Sequence, residues 1–242
     1  MDNLGSGSYR QTAKVGHDGT IQNVAYNYGT DRQRTFPLPL HADRAYLKSQ
    51  PEIMWFLCAR PAESGGQTTI CDGVAVVPAL SASTRRLFES KRLKYIRHYA
   101  EDQWKLLYRT NDLDQVRRFC EQNDLRLHVN EDRSVRTEFL APAIRKTKWG
   151  GTRAFCNSLQ IGIWQEKHLG RSVNFVRLED NSEIPDEVLA EIDEVTESLT
   201  ENIPWSSGDL AIVDNTRMLH GRRAFNDPAR EVYVRMCQSV SW

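Results

Sequence analysis

The run IMWFLCA, residues 53–59, is apolar and aromatic, has the length of a buried strand, and is far too short to span a membrane. The loop RPAESGG follows, with Gly65-Gly66 marking a turn. QTTICDGVAVV then opens a second run rich in β-branched residues. The same texture recurs along the chain. KYIRHYA reads as a strand, TEFLAPAIRK and TRAFCNSLQIGIW read as extended, and GDLAIVDNTRMLHGRRAF and REVYVRMCQSV are two apolar, alternating segments joined by a polar loop. Helical spacing is confined to SASTRRLFESKR, LDQVRRFCEQND and IPDEVLAEIDEVTESLTENI, the last with Pro185 early and acids in its first turn. Long strand–helix alternation is missing, which argues against a parallel doubly wound sheet. The expected fold is mainly β (α+β): a barrel or double-sheet jelly roll with flanking helices.

A chain of 242 residues fits one such domain, spanning 1–242. Lys+Arg and Asp+Glu balance at 32 each, so no basic footprint calls for nucleic acid. The absence of an apolar run of about 18 residues argues against a membrane partner. MDNLGSGSYRQTAK lacks the apolar core of a signal peptide, so a cytoplasmic location is expected. Cys58, Cys71, Cys120, Cys156 and Cys237 are scattered and form no CxxC pair. They read as buried small hydrophobes in a reducing compartment rather than zinc ligands or disulfides. Nothing in the helices resembles a zipper.

Of six histidines, two have context. His41 precedes Asp43 in PLPLHADRAY, and residues i and i+2 of a strand share a face. His220 ends the apolar segment GDLAIVDNTRMLHGR. Two imidazoles and one carboxylate leave open positions on a metal, the facial arrangement of non-haem Fe(II) oxygenases. Arg222, Arg223, Arg230 and Arg235 follow closely. An arginine pointing into a barrel is costly unless it meets an anion, either a bound carboxylate or a protein salt bridge.

PLPLHADRAY, CARPAESGGQTTICDG and WSSGDLAIVDNTRMLHGR together resemble the Fe(II)/2-oxoglutarate dioxygenases of the taurine dioxygenase and clavaminate synthase type. The central segments WKLLYRTND, LAPAIRK and GTRAFCNSLQ resemble the branch that hydroxylates amino acids in natural-product pathways. The resemblance runs from about residue 35 to the C-terminus and implies a double-stranded β-helix core. It implies iron held by His41, Asp43 and His220, with 2-oxoglutarate and O2 as co-substrates. Thr68 stands where relatives place a hydroxyl on the distal carboxylate of 2-oxoglutarate. Relatives often carry two arginines four apart in the final strand. Here Arg230 and Arg235 are five apart, which puts them on opposite faces unless a bulge intervenes. Arg230 is favoured as the co-substrate arginine, because it ends the loop at the usual distance; Arg235 is the alternative. Retention of Asp43 implies hydroxylation or a related C–H oxidation rather than halogenation. Asp214 and Asn215 read as residues that support the ligands or stabilise a turn.

The expected substrate is a small molecule, an amino acid or a biosynthetic derivative of one. Tyr46, His98, Trp104, Asn157 and Arg222 are candidates to line its pocket, with a packing or hydrogen-bonding role as the alternative for His98, Trp104 and Asn157 and the co-substrate carboxylate as the alternative for Arg222. Two rival functions share the same residues: a zinc-dependent hydrolase, and a degenerate non-catalytic member of the fold.

Overall fold

The computed structural model describes residues 36–169, 174–227 and 229–237, preceded by the backbone pairing of β1 (Lys14–Val15) with β2 (Ile21–Gln22). Two antiparallel sheets frame the centre of the molecule. One has the order β12 (Thr200–Asn202), β5 (Thr68–Asp72), β14 (Met218–Arg222) and β3 (Leu38–His41). The other has the order β13 (Leu210–Asp214), β4 (Ile53–Arg60) and β15 (Glu231–Cys237). Successive strands alternate between the sheets: β4 then β5, and later β13, β14, β15.

The inner faces of the two sheets meet. Met54, Phe56 and Cys58 are every second residue of β4 and are buried with Val213 and Val232. Ile70 and Met218, from the four-stranded sheet, pack against them. Burying each large side chain of this set stabilises the fold by roughly 1.5–3 kcal/mol.

A third antiparallel sheet has the order β11 (Asn174–Leu178), β6 (Leu93–Tyr99), β8 (Val135–Ala141) and β7 (Arg126–Val129). The hairpin β9 (Ile144–Lys146) and β10 (Arg153–Phe155) stands beside it in sequence. Leu93, Tyr95 and Val176 of this sheet join Phe155 and the helical residues Val76, Leu159 and Ile192 in the largest core cluster. All described strand pairs are antiparallel, so the parallel alternative fails as expected. Among the described residues no helix is long and apolar enough to cross a membrane. The five cysteines are free; all but the half-buried Cys237 are buried.

Three helices fall where their caps predict. Ser81 accepts from the Thr84 amide and opens Ala82–Ser90. Asp112 opens Leu113–Gln122, and Pro185 precedes Asp186–Ser198. Two sequence expectations are corrected. The run through GVAVV is strand only to Asp72, whose carboxylate accepts from Val74 N at 2.9 Å and caps a helix over Gly73–Ala79. TRAFCNSLQIGIW is strand only over Arg153–Phe155. Asn157 Oδ1 then accepts from Leu159 N at 2.9 Å, and Leu159–Leu169 is helical. In both places one short polar side chain satisfies an orphan amide and outweighs the β propensity of the residues that follow. The helix Glu101–Tyr108 was not evident from sequence; Gln103 Oε1 accepts the Ala100 amide at its start.

Gly221 lies between His220 and Arg222 where β14 crosses β3. A Cβ there would sit 2.5 Å from Leu38 O and 2.8 Å from Thr69 Oγ1. Gly221→Ala is expected to lower unfolding stability by about 1–3 kcal/mol, read by urea denaturation. An unchanged midpoint would mean that β14 can move away from β3 at no cost.

Candidate metal centre and its two cavities

His41 ends β3, and Asp43 follows in a turn rather than on the strand. The shared strand face expected for the pair is therefore replaced by a backbone reversal. That reversal is held from two sides. Ala42 N donates to Asn157 O at 2.8 Å. The Asn215 carboxamide accepts from Asp43 N at 2.9 Å, donates to Asp43 O at 3.0 Å, and donates to Pro51 O at 2.7 Å. Asn215 is fully buried and lies in the turn between β13 and β14, the crossing from one central sheet to the other that delivers His220. The neighbouring Asp214 accepts from the amide and hydroxyl of Thr216, which shapes that turn.

His220 stands directly opposite His41 in the β14–β3 pairing, with ring centroids 4.6 Å apart. Its Nε2 lies 3.1 Å from Asp43 Oδ2. One ligand atom from each of His41, Asp43 and His220 can be chosen so that all lie within 4.8 Å of one another. His41 Nδ1 is 2.8 Å from Pro39 O, and donation to that carbonyl leaves the Nε2 lone pair for a metal.

Electrostatics point the same way. Burial, seconded by the charge of His220, pushes the His41 imidazole down to about 4. Burial alone would raise Asp43. The His220 hydrogen bond and the charges of His220, His41 and Arg44 outweigh it and hold the carboxyl below its usual range. At neutral pH His41 is thus neutral and Asp43 ionised, the forms that ligate a divalent cation. The donor set fits a facial two-histidine, one-carboxylate centre.

Leu38, His41 and Asp43 are shared by two cavities, so the triad sits at their seam. The first cavity runs toward β6 and β11 and is lined by Tyr46, Tyr95, Arg97, Gln165 and Phe175 among others. The Arg97 guanidinium carbon lies over the Tyr46 ring, 3.5 Å from its centroid. The second lies between the two central sheets and is lined by Thr68, His220, Arg222, Phe225 and Arg230. Arg222 and Arg230 flank the same Phe225 ring at 4.9 and 5.0 Å. Arg230 Nε donates to Gly66 O at 2.7 Å, and burial draws its guanidinium down to about 10. Gly66 takes a positive φ of 68°, and a Cβ there would meet the Arg230 side chain at 2.9 Å, so the glycine pair makes room for this arginine.

The remaining predicted residues separate clearly. Tyr46 lines the first cavity, and Thr68, Arg222 and Arg230 line the second. Arg235 is exposed on β15, on the face opposite Val232, Val234 and Met236. His98 stacks on Phe175 with centroids 5.8 Å apart and is in neither lining. Asn157 is buried with both ends of its amide used, by Ala143 O and Leu159 N. Trp104 is fully buried in a separate cluster, its indole donating to Arg133 O. Arg44, Arg97 and Phe225 were not identified from sequence; no short motif marks them.

The family model "Taurine catabolism dioxygenase TauD, TfdA family" matches residues 3–237. The chain belongs to the TauD/TfdA family. A clavaminate synthase-like protein of Arabidopsis thaliana is 25% identical over 217 residues, covering 83% of this chain and 65% of the relative. The dapdiamide synthesis protein DdaC of Enterobacter agglomerans is 24% identical over 217 residues, with the same two shares. The chain thus spans 65% of the length of these two family relatives. Among solved structures, PvcB of Pseudomonas aeruginosa aligns with a TM-score of 0.55 at 18% identity, covering 95% of this chain and 67% of that one. At that identity the likeness concerns the fold alone.

Asn215→Ala would leave the Asp43 amide and two carbonyls without their partner in a buried place. The expected result is a loss of at least ~2 kcal/mol in unfolding stability and a ten- to hundred-fold weaker divalent-metal affinity, roughly. Calorimetric titration with Mn(II) reads the second quantity; unchanged affinity would show that the Asp43 turn holds itself.

Proposed function

We propose that this chain is a non-haem iron oxygenase that couples oxidative decarboxylation of 2-oxoglutarate to hydroxylation, or a related C–H oxidation, of a small substrate. The observation that carries the proposal is the triad at the seam of two cavities, one of which is built for a carboxylate. Arg230 is a mostly desolvated cation with no carboxylate partner among the described residues, and it shares its cavity with the buried hydroxyl of Thr68. A dicarboxylic 2-oxo acid reaching from the triad into that cavity would supply the missing anion. Bound iron would supply oxygen activation and the oxidising power for C–H cleavage. The chain's own residues would do the rest. His41, Asp43 and His220 hold the metal, Thr68 and Arg230 take the distal carboxylate, and Arg222 adds positive charge beside them.

The substrate is assigned to the first cavity, where Tyr46 and Arg97 stand within reach of the triad. An amino acid or amino-acid derivative agrees with the relatives. DdaC serves dapdiamide synthesis, and PvcB is described in a second structure (TM-score 0.51, 19% identity) as an Fe, α-ketoglutarate dependent oxygenase from an isonitrile synthetic pathway. The alternating central sheets are read as the double-stranded β-helix of a single domain.

Anaerobic titration of the metal-free protein with Fe(II) and 2-oxoglutarate tests the centre. A visible charge-transfer band is expected for the wild type and its loss for His220→Ala. A wild type that stays colourless while holding zinc would overturn the proposal in favour of hydrolytic chemistry. The arginines give a second check. Arg230→Ala is expected to weaken 2-oxoglutarate binding about ten- to hundred-fold, the 1.5–3 kcal/mol of a charge-assisted hydrogen bond. Arg235→Ala should leave it within about two-fold; the opposite ranking would place the co-substrate elsewhere.

A further inference from the structure

The cavity between the central sheets contains a hydroxyl whose direction is set from behind. Thr68 Oγ1 lies 2.9 Å from Trp205 Nε1. An indole N–H can only donate, so the threonine oxygen must accept there. Its own proton then points elsewhere, and among the described residues no group accepts it. Thr68 is 3% exposed and lines the cavity that holds Arg230. Threonine is stiff about χ1, so the oxygen stays where the indole holds it, and its proton turns about the Cβ–Oγ1 bond away from the indole N–H.

The tether has a second point. Ile203 N donates to Thr68 O at 2.9 Å, and Trp205 N donates to Ile203 O at 3.0 Å. The Ile203-Pro204-Trp205 segment therefore grips both the backbone and the side chain of Thr68. Trp205 is anchored in turn by the cluster of Met54, Phe56, Cys58, Val213 and Val232.

We infer that Trp205 is a positioning residue: its indole N–H makes Thr68 Oγ1 a dedicated donor to the distal carboxylate of a bound 2-oxo dicarboxylic acid. The inference rests on the 2-oxoglutarate reading above and adds to it a residue that never touches the ligand. It also predicts selectivity. The contribution exists only for a 2-oxo acid with a second carboxylate.

Equilibrium binding to Mn(II)-loaded protein, measured by calorimetry, separates the possibilities. The ligands are 2-oxoglutarate and 2-oxopentanoate, which has the same chain length and no distal carboxylate. Trp205→Phe keeps a ring and removes the N–H. It is expected to weaken 2-oxoglutarate about five-fold, the ~1 kcal/mol of a neutral hydrogen bond at 1.4 kcal/mol per decade, and to leave 2-oxopentanoate unchanged. On a Thr68→Val background the same change should cost nothing further. Equal weakening of both ligands, no weakening of either, or full additivity with Thr68→Val would overturn the inference and leave the co-substrate reading intact. If the wild type binds 2-oxoglutarate no better than 2-oxopentanoate, the co-substrate reading itself falls, and this inference with it. Should Trp205→Phe fail to fold, benzothienylalanine at position 205 repeats the test with the indole shape kept and only the N–H removed.

Discussion

The Asn215 carboxamide holds together parts of the chain that are remote in sequence. It bonds to both backbone groups of Asp43 and to the Pro51 carbonyl, and it does so from the turn that leads into β14. Three of its hydrogen-bonding positions are used in a fully buried place, where an unmet group would cost about 1–3 kcal/mol. Asp43 and His220 are 177 positions apart, yet their spacing follows from this one side chain and the strand pairing next to it. Because both ends of the amide are committed, the residue resists even small changes: aspartate would lose the donors, and leucine all of the bonds.

Charge is distributed around the triad in a way that sets up a gradient. Among the described residues Asp43 is the one acid in either lining, while Arg44 and Arg97 stand on one side and Arg222 and Arg230 on the other. A guanidinium out of water is expensive unless an anion comes to it. Burial of the Arg230 guanidinium lowers its affinity for its proton for the same reason. The His41 imidazole faces the opposite demand. Burial and mutual proximity disfavour protonation of His41, which keeps its lone pair available. The centre is therefore poised for a cation between His41, Asp43 and His220 and for anions just beyond it.

How much of this the chain announces depends on whether a feature is chemical or geometric. The ligand types were legible, since His-x-Asp and a late histidine after an apolar segment limit the chemistry whatever lies between. The reading of Asp214 and Asn215 as supports comes from the family resemblance of the segment that leads to His220, not from a residue pattern. The geometry was harder. Asp43 is in a turn, and it still meets His41 because of bonds formed far across the sequence, from Asn215 to Asp43 over 172 positions and from Ala42 N to Asn157 O. The helices at Gly73–Ala79 and Leu159–Leu169 follow from single caps at Asp72 and Asn157 that compete with β-branched neighbours. Asn157 looked like a pocket residue and is a cap. The face on which Arg235 lies depends on the register shift between Glu231 and Val232, which no residue pattern discloses.

The five-residue strand β5 shows how the cavity and the triad come to share one alignment. At its far end Asp72 ion-pairs with Arg217, and Gly73 N donates to Arg217 O at 3.0 Å. At its near end Thr68 is held by Ile203 and Trp205. Between them the register with β14 sets Arg222 opposite Thr68, His220 opposite Ile70, and Met218 opposite Asp72. An exposed ion pair such as Asp72–Arg217 adds little stability by itself. Its place matters more, because it closes the ladder at the end remote from the cavity. A slip of one residue would turn Thr68 away from the cavity and at the same time move the strand that carries His220. The hydroxyl that faces the cavity and the imidazole of the candidate triad are thus set by a single pairing, and neither can be repositioned without the other.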